Sequence, residues 1–195
     1  MKVLQIKCPH CQQPIYSKVR DLAFYCSHCK TMHIRDGGIN VIDFDVAEFH
    51  TNSPPDRVYM PFWRLFSGFT INQSNVAGGM LNKLGRLLKD TANGGNIFIY
   101  IPAWETDVNE FKRWAMDLTE AQPVYSLRLD FNNVERAPTV VPKEEAMKMA
   151  DFVIVTMEAE KPGTLQYLDY QLQVHDARLI YLPFIKGAGG VVPGF

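Results

Sequence analysis

The sequence predicts an α+β protein, with a small cysteine-rich unit at the N-terminus and then one domain with a mixed, mostly antiparallel sheet and two to three helices. Three observations lead to this expectation. All four cysteines fall within residues 8–29, strand-like runs rich in Val, Ile and Tyr recur later, and two stretches carry apolar residues at helical spacing. With 195 residues, 47% of them hydrophobic, the chain can bury an ordinary core.

The cysteines stand in two C-x2-C pairs, Cys8 with Cys11 and Cys26 with Cys29. A two-residue gap lets both thiolates of a pair face one turn, and two such turns can surround one ion. The spacing between the pairs lies close to that of known zinc sites, and no cysteine is left for a disulfide. We therefore predict a structural Zn²⁺ held by all four cysteines, while iron held by four thiolates stays open.

Four thiolates would close the coordination shell, whereas a catalytic zinc keeps one position open for water. Three histidines, His10, His28 and His33, lie within or just after the pairs. We expect them to be exposed or to donate hydrogen bonds near the sulfurs, and not to bind the metal.

Short strands are predicted around the cysteine pairs, at residues 3–7 and 31–35, with a hairpin joining 14–16 to 24–25. This order of turns and strands over residues 1–36 resembles a zinc-ribbon domain. Such ribbons often carry Gly after the second cysteine of a pair, where this chain has Gln12 and Lys30. Together with the recurring Y-x-P segments at 59–61, 100–102 and 181–183, this arrangement looks like bacterial zinc-ribbon proteins of unassigned role, and the resemblance implies no particular activity.

We predict four segments: the ribbon at 1–36, a connecting strand and linker at 37–57, the α+β domain at 58–186 and a flexible apolar tail at 187–195. Within the domain, similar hexads recur at 58–63, 99–104 and 180–185, with a weaker relative at 139–142. Their prolines, at 61, 102, 142 and 183, are almost evenly spaced. The pattern leaves open an internal duplication or strands that simply end at proline.

Apolar spacing predicts two longer helices. The first covers residues 80–89, with Leu81, Leu84, Leu87 and Leu88 on one side and Lys83, Arg86 and Lys89 elsewhere. The second runs from an Asp107 cap to about Leu118, with Val108, Phe111, Ala115 and Leu118 inward.

The remaining segments are predicted mainly as strands. A short helix after Pro142 should lead into a buried strand at 151–157. Alternation predicts half-buried strands at 124–131 and 165–174, the latter turning at 175–178 into a hairpin with the last hexad.

The charge of the chain is unevenly distributed. Residues 1–36 contain six Lys and Arg and two Asp, a net +4, whereas the whole chain is −1. A basic ribbon favours contacts to nucleic acid or an acidic partner. The candidate contact residues are Lys7, Lys18, Arg20, Lys30 and Arg35.

No catalytic motif was found, so an enzyme is the less favoured class. We expect a cytoplasmic zinc protein without a transmembrane segment, acting as an interaction or assembly subunit with a protein partner or as a homo-oligomer. Nucleic-acid binding through the ribbon is the alternative function. The candidate partner-binding aromatics are Trp63, Trp104, Phe184 and Phe195.

Overall fold

The computed structural model describes residues 3–50, 55–77, 94–159, 164–187 and 190–195. These residues form a mixed α+β structure with two helices and three sheets, whose strands are mostly antiparallel. The predicted fold class is confirmed at this level. The helix predicted at 80–89 lies outside the described residues.

The N-terminal unit, residues 3–42, contains five short strands: β1 (Val3–Lys7), β2 (Pro14–Lys18), β3 (Ala23–Cys26), β4 (Thr31–Arg35) and β5 (Ile39–Ile42). β1 pairs with β2, and β3, β4 and β5 form a separate antiparallel sheet. The hairpin predicted between 14–16 and 24–25 is therefore wrong. Each cysteine turn folds the chain back on itself, so the two strands that flank one turn pair with each other.

The central sheet is built on two long strands, β7 (Arg57–Ala77) and β11 (Thr164–Gly187), which pair antiparallel along most of their length. Five shorter strands complete it: β6 (Phe44–Ala47), β8 (Gly94–Pro102), β9 (Leu127–Arg128), β10 (Glu135–Arg136) and β12 (Gly190–Pro193). The order among the described residues is β10-β7-β11-β6-β9, with β8 also on β7 and β12 on β11. The chain thus enters this sheet at Phe44, within the predicted 37–57 linker. The predicted domain limits remain a prediction.

β7 and β11 are buried on both faces near the N-terminal unit. Tyr59, Leu65 and Tyr181 lie in one apolar cluster, and their neighbours Met60 and Leu182 lie in the other. A strand covered on both sides needs no polar face, which is why its sequence reads as an apolar run.

Two helices cover the sheet: α1 (Val108–Ala121) and α2 (Lys143–Ala159). Asp107 caps α1 by accepting hydrogen bonds from the amides of Asn109 and Glu110, as predicted. α1 runs along the outer edge of β8, where Thr119 accepts a bond from the amide of Tyr100 at 3.0 Å. Val108, which was expected to face inward, is 77% exposed.

The strand predicted at 151–157 is wrong, because these residues form the second half of α2. The buried positions follow a helical spacing, Ala146, Ala150, Val153, Ile154 and Met157. The β-branched run suggested a strand, but packing of this stripe on the sheet outweighs the weak local preference.

Two other strand predictions need correction. Only Leu127–Arg128 of the 124–131 segment pairs in the sheet, and Leu129 is 91% exposed. Residues 175–178 are not a turn, since β11 continues through them with a bulge between Val174 and Asp176. A bulge absorbs one extra residue without ending the strand.

The hexads at 58–63, 99–104 and 180–185 lie on neighbouring strands of the central sheet. β8 ends at Pro102, as the strand-end interpretation expects, but β7 and β11 continue past Pro61 and Pro183. Pro61 sits between the stretches of β7 that pair with β10 and with β8. A missing amide donor costs little there.

The 187–195 segment contains a strand where we expected a flexible tail. β12 pairs with the end of β11, and the amide of Gly194 donates to the carbonyl of Pro183 at 2.9 Å. The ring of Phe195 packs edge-on against Phe184 and Tyr125. Val191 and Phe195 are therefore packed against the second apolar cluster, while Val192 is 56% exposed.

Candidate metal centre

The four cysteines come together at one end of the N-terminal unit. Their Sγ atoms all lie within 4.8 Å of one another, and none forms a disulfide. The Cys8 and Cys29 sulfurs are 3.7 Å apart, and those of Cys11 and Cys26 are 3.5 Å apart. A tetrahedral ion with metal–sulfur bonds of about 2.3 Å needs sulfurs about 3.8 Å apart. The cluster therefore has the size and the ligand set to hold a metal ion.

Both cysteine turns have the same backbone geometry. Gln12 and Lys30 follow the second cysteine of each pair, and both are left-handed, with φ of 64° and 60°. The amide of Gln12 donates to the carbonyl of Cys8 at 2.9 Å, and that of Lys30 to Cys26 at 2.8 Å. These are the two positions where a zinc ribbon often has Gly, which adopts this conformation without strain. The presence of Gln12 and Lys30 at these positions therefore changes the side chain but not the backbone conformation of the turn.

His33 supports one of the sulfurs. It is fully buried, its Nε2 lies 3.3 Å from Cys8 Sγ, and its ring stacks on Phe24. Burial lowers the pKa of His33, so the ring is neutral and can donate Nε2–H to the sulfur. His10 and His28 are exposed. The sequence alone did not distinguish the three histidines, whereas the fold places His33 in contact with the sulfur of Cys8.

The sulfurs differ in their readiness to ionise. The Thr31 hydroxyl, 3.2 Å from Cys29 Sγ, is the main cause that lowers the pKa of Cys29 to about 5. Around Cys11, the amide of Gln13 lowers the pKa, but burial and the other three sulfurs outweigh it and raise the value to about 12. Full ionisation of the cluster therefore needs a cation, which is how a metal site couples to protonation.

A buried ion pair attaches the N-terminal unit to the central sheet. Asp21 is 3% exposed, and its carboxylate lies 2.9 Å from Arg136 Nη1. It also accepts bonds from the amides of Ala23 and Thr139, at 3.2 and 2.9 Å. Burial raises the pKa of Asp21, and Arg136 and these two amides oppose the rise.

Arg136 and Thr139 extend this contact into the core. The guanidinium donates to the carbonyl of Ala23 at 3.0 Å and to the Tyr181 hydroxyl at 3.3 Å. Thr139 Oγ1 lies 3.1 Å from the same hydroxyl. One side of the β3–β4–β5 sheet, with Ala23, Met32 and Ile34, belongs to the same apolar cluster as the central sheet. The N-terminal unit is thus packed into the main core.

Three of the five candidate contact cations form ion pairs with main-domain carboxylates. Lys18 pairs with Glu135 at 3.4 Å, Arg20 with Glu105 at 3.2 Å, and Lys30 with Asp130 at 2.6 Å. Lys7 and Arg35 are exposed. The positive charge of residues 1–36 is therefore partly compensated across the contact with the sheet domain.

The candidate partner-binding aromatics lie inside the protein. Trp63, Trp104 and Phe184 are buried, and Trp63 donates its Nε1–H to the carbonyl of Val141 at 2.8 Å. Phe195 is partly buried against Phe184. Trp63 and Phe184 are core residues, whereas Trp104 also lines a surface groove and Phe195 stays partly exposed, so a partner-binding role for these aromatics remains a prediction.

An apolar groove between α1 and α2 was missed by the sequence reasoning. It has a volume of about 470 Å³ and is lined largely by apolar residues, among them Trp104, Val108, Phe111, Met149 and Phe152. Phe152 is 50% exposed, and its ring lies near that of Phe111. Had 143–159 been recognised as a helix, Phe152 would have fallen outside its buried stripe.

The fold and the cysteine cluster define an α+β protein that could hold a metal ion. Comparison of the chain with protein families, with characterised proteins and with solved structures found no match. Neither helix in the described part of the chain is long and apolar enough to cross a membrane.

Replacing Gln12 with Gly should stabilise the metal-loaded protein by about 1 kcal/mol, because a left-handed residue with a Cβ costs about 1–2 kcal/mol. At Lys30 the same change also removes the ion pair with Asp130, which offsets part of the gain. Gln13→Gly is the matched control, since Gln13 is not left-handed. It should destabilise by up to about 1 kcal/mol. Denaturant unfolding measures all three, and equal effects at Gln12 and Gln13 would contradict the shared turn geometry.

Asp21→Ala should cost about 3–5 kcal/mol in the free energy of unfolding, because it leaves the Arg136 guanidinium buried without its counter-charge. Arg20→Ala removes an exposed pair with Glu105 and should cost less than about 1 kcal/mol. Denaturant unfolding of both variants tests the difference. Similar losses for the two would mean that the buried pair does not hold the unit in place.

Proposed function

We propose that the chain is a non-enzymatic zinc protein that works as an interaction or assembly subunit. The observation that carries this proposal is the α1–α2 groove, an open apolar surface on an otherwise well-covered core. Exposed apolar patches with a polar surround commonly mark contact sites for other proteins. A cytoplasmic setting, where thiols stay reduced, suits the four free cysteines.

Zinc is the proposed ion because four thiolates at tetrahedral spacing are its usual structural ligands. The N-terminal unit would then be a zinc ribbon. A closed sulfur shell leaves no position for a substrate, so the ion supplies stability and not chemistry. His33 and Thr31 contribute by hydrogen bonding to the sulfurs of Cys8 and Cys29.

The groove is suited to an apolar segment of a partner. Val108 projects from the first turn of α1, while Met149 and Phe152 lie on the facing side of α2. Helix pairs of this kind accept amphipathic segments through a few apolar anchors. Phe152 is the natural central anchor, because it is large, half exposed and in contact with Phe111.

Nucleic-acid binding by the ribbon receives less support. Lys18, Arg20 and Lys30 point toward carboxylates of the same chain. Phosphate contacts would have to displace these pairs or rely on Lys7 and Arg35.

Elemental analysis of the protein purified without added metal should give one zinc per chain. Cys8→Ser should abolish zinc binding. The Cys8 sulfur is buried beside His33, so water cannot reach the metal to take the place of the lost ligand. His28→Ala is the control and should keep the zinc, because His28 is exposed. Iron in place of zinc would show that the proposed ion is wrong. A protein without any bound metal would contradict the proposal that the four cysteines form a metal site.

The groove is tested by the size of the native assembly. In gentle lysate of the source cells, the chain should run well above its own 22.2 kDa, and Phe152→Glu should bring it down to that mass. Val124→Glu is the matched control, because Val124 is 97% exposed and lies away from the groove. A wild type that runs as a monomer, or a Phe152→Glu form that keeps its size, would contradict the proposal.

A further inference from the structure

A polar pocket lies where the N-terminal unit meets the central sheet. It has a volume of about 420 Å³, which is within the usual range for small-molecule sites. One wall contains Tyr16 of β2, Tyr25 of β3 and Ser27 of the second cysteine turn, and the other contains residues 130–134 and Arg136. The described lining includes none of the four cysteines and no residue of the α1–α2 groove. The pocket is therefore a separate site.

The charged side chains of this pocket already have partners. Lys30 pairs with Asp130 at 2.6 Å, and Arg136 pairs with the buried Asp21 at 2.9 Å. A charged ligand would have to displace one of these partners. The pocket therefore favours a small uncharged ligand that binds through hydrogen bonds.

The hydroxyl of Tyr25 lacks a hydrogen-bond partner. Its oxygen is buried and bonds to none of the described residues. Buried tyrosine hydroxyls usually find a partner, because an unpaired one destabilises the protein. The ring cannot easily turn away, since it packs edge-on against Phe44 and Phe131, with centroids 5.7 and 4.9 Å apart. A ligand in the pocket that Tyr25 lines can supply the missing bond.

Two asparagine side chains at the mouth of the pocket are also unused. Asn132 and Asn133 form the centre of a tight turn, in which the amide of Val134 donates to the carbonyl of Phe131 at 3.0 Å. Both are left-handed, with φ of 48° and 59°, a conformation that asparagine tolerates. Their side-chain amides are exposed and have no partner in the described part of the chain. Each amide offers a donor beside an acceptor, which matches the edge of a nucleobase.

An exposed aromatic ring completes the pocket. Tyr16 is 68% exposed and lines the same space. Proteins hold single unpaired bases by stacking them on such rings and by hydrogen bonding to their edges. We propose that this pocket binds the base of a free nucleoside. The inference goes beyond the proposed function and does not depend on the groove.

Calorimetric titration of the full chain with adenosine, guanosine, cytidine and uridine tests the proposal. At least one nucleoside should bind saturably, with a Kd below about 1 mM. Its 5′-monophosphate should bind about equally tightly, because Lys30 and Arg136 are already paired. Added salt should change the affinity little, since no ion pair with the ligand is expected.

Three variants test the residues that form the pocket. Tyr16→Ala should weaken binding about 5- to 100-fold, because it removes the stacking ring. Tyr25→Phe should weaken it about 3- to 10-fold and should not destabilise the ligand-free protein, because its hydroxyl has no partner there. Asn132→Gly/Asn133→Gly removes both amides and keeps the left-handed turn, and should also weaken binding.

The matched control is Asn109→Ala, which removes an exposed amide on α1 and should bind like the wild type. Circular dichroism and metal content show whether each variant is folded.

Several outcomes would overturn the inference. They are the absence of saturable binding by all four nucleosides up to about 10 mM, glucose binding as tightly as the best nucleoside, and nucleoside binding that is unchanged in Tyr16→Ala and Tyr25→Phe. Binding of the monophosphate or inorganic phosphate without the nucleoside would show an anion site instead. Oligo(U) and oligo(dT) provide a second arm. If they bind in a strongly salt-dependent way and no nucleoside does, the pocket serves a nucleic-acid strand and the proposal of a free nucleoside fails.

Discussion

The ion pair between Asp21 and Arg136 is the contact on which the rest of the structure depends. It joins the N-terminal unit, which carries the cysteines, to β10, the short strand that pairs with the start of β7. A buried ion pair is costly to desolvate and stabilises only when its remaining hydrogen bonds are made. Here the carboxylate also binds two amides, and the guanidinium also binds a carbonyl and a hydroxyl. The pair therefore fixes one docking geometry for the unit.

Because of this contact, an ion bound by the four cysteines would affect more of the protein than its own turns. A free zinc ribbon uses the ion to hold itself together, since a unit of that size buries little apolar surface. In this chain, Met32 and Ile34 lie on β4, next to the second cysteine turn, and also in the main apolar cluster. Order imposed at the sulfurs by a bound ion would therefore extend through β3 and β4 to the central sheet. Such an ion would stabilise the sheet against which α1 and α2 pack.

Several features could be predicted from residues alone, because they depend on local chemistry. The cysteine spacing places four sulfurs together, and the Asp107 cap and apolar spacing define α1. Features that depend on contacts between residues distant in the sequence could not be predicted. Whether Trp63 is exposed depends on α2, and only the first half of α2 was predicted, because residues 151–157 include a β-branched run that prefers strands when considered alone. The groove arises from two helices that are distant in sequence.

A metal ion bound by the four cysteines is expected to hold the sheet domain as well as its own turns, through the Asp21–Arg136 contact. Hydrogen exchange of the amides before and after removal of the ion by a chelator tests it most directly. The account predicts faster exchange in β3 and β4 and also around Tyr59 and Tyr181 of β7 and β11. Faster exchange confined to residues 5–35, with the central sheet unchanged, would contradict it.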